Sequence, residues 1–435
     1  MPTAYWAPNQ AAKAQVRTYT FTAPNSIGNT YNATLNGKTV TYSSVSGDTA
    51  ALAATGLYNL LNVTEGIAAE FTEIEWANPS SGVITATAAV PGTPFAGVPG
   101  TSLGLVLSTG NGLSGGITTA NTTDNASPSD VNDAQNWLRV TAPAPGVRAI
   151  PVNGDDVVAD NSTVPMLWNL DQLAAVQFNT WTRWQSMEGQ IGLPENNPAG
   201  YTEWRATYFK FVGPQGSVPA GGLQMVLGRG TVGSGPGLEQ YDVGSQPTTL
   251  TALAGGLIKF LGVHTANTFV TTGNVTLEIA ALLGETANLS SCTIDGGAFV
   301  VIGDGVTWTA ASTLTMFGGS VVLAAAPATL AMNAGAQATV TKDSLIWTVV
   351  TQRNGSVITF LAGGTITTHT METGASLDKS LDARGLTITN STIDGDSCFY
   401  NDPLNAIIWT NATSVKQQVA DGPFRFTGTK TVKVT

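Results

Sequence analysis

The sequence predicts a mainly-β chain with one or two short helices: a small β-rich N-terminal domain followed by a C-terminal parallel β-helix, or β-solenoid. Three observations predict this. From about Val275 to Asp396 the chain breaks into short, β-branched, nearly uncharged segments, each ended by a turn such as Asp295-Gly296-Gly297, Phe317-Gly318-Gly319, Arg353-Asn354-Gly355 or Thr373-Gly374. The turns recur roughly every twenty residues, the length of one solenoid coil, in which each rung pairs with the next and buries an inward row of aliphatic side chains. Only 11% of the 435 residues are charged and polarity is carried by Thr, Ser, Asn and 49 glycines, a mixture that suits strands and tight turns rather than solvated helices.

Residues 1–124 read as the N-terminal domain. Alternation from Val16 to Thr22 marks a strand, and Tyr31–Leu35 and Thr39–Tyr42 flank Asn36-Gly37, the dipeptide best suited to two successive positive φ angles in a hairpin turn. Asp48 is expected to cap a helix over 51–61 with Leu52, Leu57, Leu60 and Leu61 on one side, and strands are expected at 70–76 and 82–90. Residues 125–250 form an aromatic-rich junction leading into the solenoid, with Trp168, Phe178, Trp181, Trp184, Tyr201, Trp204, Tyr208 and Phe209 around a loop whose Pro194 and Pro198 forbid regular structure. Residues 251–400 are the solenoid, with Ile294, Leu314, Val322 and Ile358 expected to face inward, and 401–435 a C-terminal cap in which 406–410 and 430–434 alternate as strands do.

The composition also excludes function classes. Acids exceed bases 29 to 18, a formal charge of −11, and no Lys/Arg cluster exists to bind phosphates, so nucleic acid is not an expected partner. No apolar run reaches the length of a membrane span, and the N-terminus lacks a basic stretch followed by an apolar one, so synthesis in a cytoplasm is expected. Two histidines cannot make a multi-histidine metal site. Cys292 and Cys398, about five rungs apart, are read as buried free thiols.

Candidate chemistry is sparse. Asp295, Asp304 and Asp394 are the solenoid carboxylates that could pair in glycan cleavage, which needs two acids roughly 5–10 Å apart. Asp295 and Asp394, however, both sit in Thr-Ile-Asp-Gly, a turn sequence, and the turn reading is favoured. Asp155, Asp156 and Asp160 have oxygen ligands for calcium but no calcium-loop pattern around them, and read as a solvated loop. Trp181, Trp184, Tyr201, Trp204 and Arg205, with Arg183, Glu195 and Glu203 nearby, are the candidates for a sugar-stacking platform, against a plainer reading as core or subunit interface. No nucleophile elbow, phosphate loop, zinc-protease motif or cofactor-binding motif is found, so the chain is expected not to be an enzyme and to need no cofactor.

The run Gly28-Asn29-Thr30-Tyr31, Asn36 to Tyr42, Gly47-Asp48-Thr49, a helix, a strand and Pro91-Gly92-Thr93-Pro94-Phe95 resembles a small module of tailed-bacteriophage structural proteins, and covers about a quarter of the chain. The resemblance implies a virion component. The expectation that follows is an external capsid protein, a decoration protein or head fibre, homotrimeric and docked on other virion proteins such as the major capsid protein. The alternative is a tail fibre, baseplate or spike protein that binds host surface glycans, with a polysaccharide depolymerase behind it.

Overall fold

The computed structural model describes residues 2–63, 66–96, 104–113, 116–140, 146–211, 222–230, 237–394, 397–411, 414–416 and 425–427. Nearly all of its regular structure is β, with one α-helix and a solenoid of about eleven turns. Successive coils place one strand in each of two sheets, of sixteen and eleven strands, parallel throughout except where Trp137–Arg139 pairs antiparallel with Thr3–Trp6 and with Val147–Arg148. In the longer sheet the inward row runs in register from Val157 through Trp181, Met225, Leu250, Phe269, Cys292, Leu314, Leu330 and Val350 to His369. The shorter sheet faces it with Tyr241, Phe260, Ile279, Ile302, Leu323, Val340 and Phe360. A filled core of two facing rows is what period-two alternation produces when every strand has one dry side.

Ile294, Leu314 and Ile358 are buried as expected, but Val322 is not inward. In Ser320–Leu323 the buried residues are Val321 and Leu323, so the apolar run Val321-Val322-Leu323 hides its true phase and Val322 points out. Cys292 and Cys398 are both buried and free; burial pushes the Cys292 thiol up to about 12. At the Asn354-Gly355 turn both residues take positive φ, 50° and 74°, as the sequence pattern requires.

The solenoid starts earlier than residue 251. Its parallel rungs begin at Asp156–Ala159, which pairs in parallel with Thr3–Trp6. That N-terminal strand also pairs antiparallel with Trp137–Arg139, so the first residues of the chain belong to the solenoid end rather than to the domain that follows them. Four charge-free, β-rich residues, Thr3-Ala4-Tyr5-Trp6, carry no signal of their distant partner.

The N-terminal domain is antiparallel instead. One sheet joins Ile74–Ser80, Val83–Ala88, Val16–Phe21 and Ile117–Thr123, and another joins Lys38–Ser43, Thr30–Leu35 and Val106–Gly110. Asn36 and Gly37 form the hairpin turn with φ of 51° and 71°. The helix is Ala50–Leu61, capped by Thr49, whose hydroxyl accepts from the Leu52 amide; Asp48 instead accepts from the Tyr42 hydroxyl and the Val45 amide. The helix buries Ala53, Ala54, Leu57 and Leu61, while Leu52 and Leu60 are exposed, because its narrow contact face admits small residues where the sequence suggested leucines.

The outer face of the long sheet has its own order. One outward row reads Thr249, Thr268, Ser291, Thr313, Thr329, Val349, Thr368, Asn390, and the next Thr251, Val270, Thr293, Thr315, Ala331, Thr351, Thr370, Thr392. The corresponding row of the short sheet is mixed and charged: Lys259, Glu278, Val301, Val322, Thr339, Thr359, Asp378. The terminal segment 430–434 lies outside the described residues.

Candidate functional site

The polar and aromatic groups of the junction converge where it meets the N-terminal domain. Residues 160–179 and 185–208 are irregular and pinned by isolated bridges, Met166 to Ile191 and Asp130 to Trp168 among them. Residues 195–205 fold back on themselves: the Asn197 amide donates to the Tyr201 carbonyl, the Glu203 amide to the Glu195 carbonyl, and the Asn197 side chain to Glu203 at 3.0 Å. This loop carries Tyr201 and Trp204 out of the solenoid and into the core of the N-terminal domain, the cluster that also holds Phe71, Ile84 and Leu107.

Arg205 is the centre of the arrangement. Its guanidinium pairs with Glu73 of the N-terminal domain and, at 3.1 Å, with Glu203 of its own loop. Its flat faces lie 5.0 Å from the Trp168 ring and 4.7 Å from the Trp204 ring, a double cation–π contact. The Tyr201 hydroxyl also donates to Glu73. Burial, and then the hydrogen bond to that carboxylate, drive the Tyr201 phenol well above its usual range, so it remains a donor. Nearby, the Asn36 side chain donates to Glu70 at 2.9 Å and to the Thr202 carbonyl at 3.3 Å, so the hairpin turn touches the same loop. Burial would raise the Glu70 carboxyl, but hydrogen bonds from Lys38 and Asn36 bring it below the usual carboxylate range.

Beside this clamp lies a cleft of about 460 Å³, walled by Val90 and Thr93 on one side and by Leu167, Trp168, Pro194 and Pro198 on the other. Its walls are mostly apolar, with Glu73, Glu203 and Arg205 at one edge. Both carboxylates are held by the same cation, so the cleft presents a neutralised, hydrogen-bonded edge rather than a free acid and a free base.

The expected platform is thus divided. Tyr201, Trp204 and Arg205 come together at the cleft, but Trp181 is fully buried among Phe178, Phe209, Phe211 and Tyr241 in the solenoid core, and Trp184 lies under Arg229 at 4.9 Å. Trp181 cannot stack on a ligand, because the strand Thr180–Trp184 points it inward in register with Val157 and Met225. Arg183 on that strand is also buried, paired with Glu239 at 2.6 Å and donating to the Ala254 carbonyl. Burial raises the Glu239 carboxyl against the pull of Arg183. The cleft's remaining essential partner, Glu73, lies far away in sequence, and nothing local marks it.

The solenoid acids stand apart. Asp295 and Asp394 follow Ile294 and Ile393, which are five strand steps apart in the long sheet, so about 24 Å separates them at the usual strand spacing, far beyond a catalytic pair. Asp295 is exposed and accepts from the Gly296 amide at 2.7 Å, a turn-forming contact. Asp304 pairs with Lys342. Asp155 is bound to Arg139 at 2.7 Å, Asp156 to Asn179 and Thr180, and Asp160 to Ser186, so the three carboxylates are directed to separate protein partners. Among the described residues no group of three or more acidic, His or Cys side chains is placed to hold a metal ion, and no helix is long and apolar enough to cross a membrane.

Comparison with known proteins finds no matching family model, no similar curated protein and no similar solved structure. The functional reading therefore rests on the residues and the fold.

Proposed function

We propose that this chain is a non-enzymatic structural protein of a virus particle of the tailed-bacteriophage kind, an external component of the capsid shell such as a decoration protein or head fibre, acting as a homotrimer. The observation that supports this best is the clamp between Glu73, Arg205 and Glu203, which fixes a compact antiparallel domain to one end of a filled parallel rod. Such a body transmits position: the domain docks, and the rod holds a defined direction. Burial on both inner faces gives the rod stiffness, which suits architecture. In this reading the N-terminal domain contacts the major capsid protein and the solenoid projects from the shell or lies across it.

The junction cleft favours a second reading, a tail fibre or spike protein whose Trp168 wall and polar edge receive a host surface glycan. Copy number separates the two. Densitometry of purified particles should show many copies per particle for a shell protein; a handful of copies, with the chain located on the tail by immunogold labelling, would replace the first reading by the second. Absence of the chain from purified particles would overturn both.

A further inference from the structure

We infer that the cleft at the seam is a docking site for an uncharged, proline-flanked aliphatic segment of a partner protein. Leu167, Trp168, Pro194 and Pro198 of the junction and Val90 of the N-terminal domain give it an aromatic and prolyl wall. Such walls receive extended polyproline-type chains, whose conformation is preformed and whose carbonyls stay free. At about 460 Å³ the cleft is of ligand size.

The polar lining narrows the occupant. Several of its side chains are spent within the protein: Thr72 donates to the Ala69 carbonyl, Glu73 accepts from Tyr201 and Arg205, and Asn197 donates to Glu203 and accepts from the Ala199 amide. Four groups make no hydrogen bond to any described residue: Nη1 of Arg205, the Trp168 indole N–H, Oε1 of Gln190 and the Thr93 hydroxyl. The Arg205 side chain is only 9% exposed; its Nη2 serves Glu73 and Tyr201 and its Nε lies 3.1 Å from Glu203, so Nη1 is the part left for a ligand. Two free donors and one free acceptor, with a hydroxyl that serves either way, complement a stretch of chain with more carbonyls than N–H groups. Proline supplies that imbalance because it has no backbone N–H. A residue between two prolines keeps its own N–H for Gln190, while its carbonyl and the preceding one accept from Arg205 and Trp168.

Charge sets the rest. Glu73 and Glu203 share one guanidinium, so two negative charges against one positive leave this edge at −1, and an acidic segment is repelled. A sugar fits less well than a peptide, because each ring brings several hydroxyls to so few unspent groups, and Arg205 already lies over the Trp168 ring on which it would stack. The cleft is continuous with the seam, with Val90 from one half and Leu167 from the other, so an occupant ties the two halves together. The inference does not depend on where in a particle the chain sits, because it names only the chemistry of a protein partner.

The test is a calorimetric titration of the full chain with acetyl-Pro-Leu-Pro-amide, capped so that it carries no charge. The peptide should bind saturably and raise the melting temperature. Methylating the Leu nitrogen, which removes its N–H, should weaken binding about fivefold, and acetyl-Pro-Asp-Pro-amide should not bind. To Gln190→Ala the parent and the N-methylated peptide should bind alike. Val90→Asp, at a wall position that is 62% exposed, should abolish binding, whereas Ile27→Asp, at an exposed apolar site outside the cleft, should leave it unchanged. Matching circular dichroism and melting curves without peptide establish that the variants are folded. No binding at millimolar peptide, equal binding of the N-methylated peptide to the wild type, binding of the Asp peptide, or undiminished binding by Val90→Asp overturns the inference. So does loss of binding in Ile27→Asp, or displacement of the peptide by maltotriose, which would assign the cleft to a sugar.

Discussion

The two halves of this molecule bury similar side chains by different means. In the solenoid each coil pairs with its immediate neighbours, so a residue such as Ile294 is enclosed by Thr271 and Met316 from adjacent rungs and needs nothing more distant on its own sheet. The N-terminal domain is completed from outside: Tyr201 and Trp204, from a loop of the junction, are members of its core. The solenoid is quasi-one-dimensional and its stability accumulates rung by rung. The N-terminal domain is closed by a borrowed segment, and that loan couples it to the rod.

The largest effect should come from the repeating half. Ile294→Asp puts a carboxylate between the buried Thr271 and Met316 with no cation to pair with, and should cost upwards of about 4 kcal/mol. Thermal unfolding checks this: a melting curve like that of the wild type would mean that the inward register is misassigned. Next comes the seam. Arg205→Ala leaves Glu73 and Glu203 facing each other without their shared cation and strips Trp168 and Trp204 of their stacking partner, at about 3 kcal/mol. Because the residue belongs to both halves, hydrogen exchange should rise in strands Val16–Phe21 and Ile74–Ser80 as well as in the junction. A rise confined to the junction would show that the N-terminal domain closes without it.

Titration should distinguish the regions as well. Burial is the main cause that raises the Asp130 carboxyl to about 6, so the folded junction holds a proton that the unfolded chain releases, and this group's contribution to stability is present at acid pH and lost as pH rises from about 4 to 6. Burial in the solenoid core lowers His369 to about 3, so here the unfolded chain takes the proton first; that contribution is full above about pH 6.5 and is lost as pH falls. The two slopes oppose each other between about pH 4 and 6, each on the order of 2 kcal/mol. Asp130→Asn should therefore stabilise the protein at pH 7 and steepen its loss of stability in acid, while His369→Gln should flatten that loss. Chemical denaturation at pH 4, 5, 6 and 7 reads both, and parallel profiles for the three proteins would refute the assignment.

Legibility in the sequence followed the same division. The solenoid announced itself because every coil repeats the same instruction, alternation closed by a glycine turn, and Ile294, Leu314 and Ile358 obeyed it; Val322 failed only because three consecutive aliphatic residues carry no phase. The N-terminal hairpin was legible in two residues, Asn36 and Gly37. Illegible were the features made by distant partners: Thr3–Trp6 as the first rung, and Glu73 as the counter-charge of Arg205. Of the aromatic candidates, Trp181 and Trp204 look alike in sequence. One lies on a strand whose register sends it inward, the other on a loop that leaves the rod, and only the fold separates them.

The smallest expected effect probes how far the coupling reaches. Gly37 sits at φ +71° with open space where a Cβ would stand, so Gly37→Val costs backbone strain alone, about 1–2 kcal/mol. Were the domains independent, the loss would be confined to the hairpin strands Thr30–Leu35 and Lys38–Ser43. The neighbouring Asn36 side chain, however, bridges Glu70 and the Thr202 carbonyl, so a distorted turn also pulls on the loop that carries Tyr201 and Trp204. Hydrogen exchange in Gly37→Val should therefore rise in the hairpin and at residues 201–205 while the rungs around Ile294 keep wild-type protection. Protection unchanged at 201–205 would show that the seam is held by Arg205 alone, and faster exchange at Ile294 would show that the rod itself depends on the domain at its end.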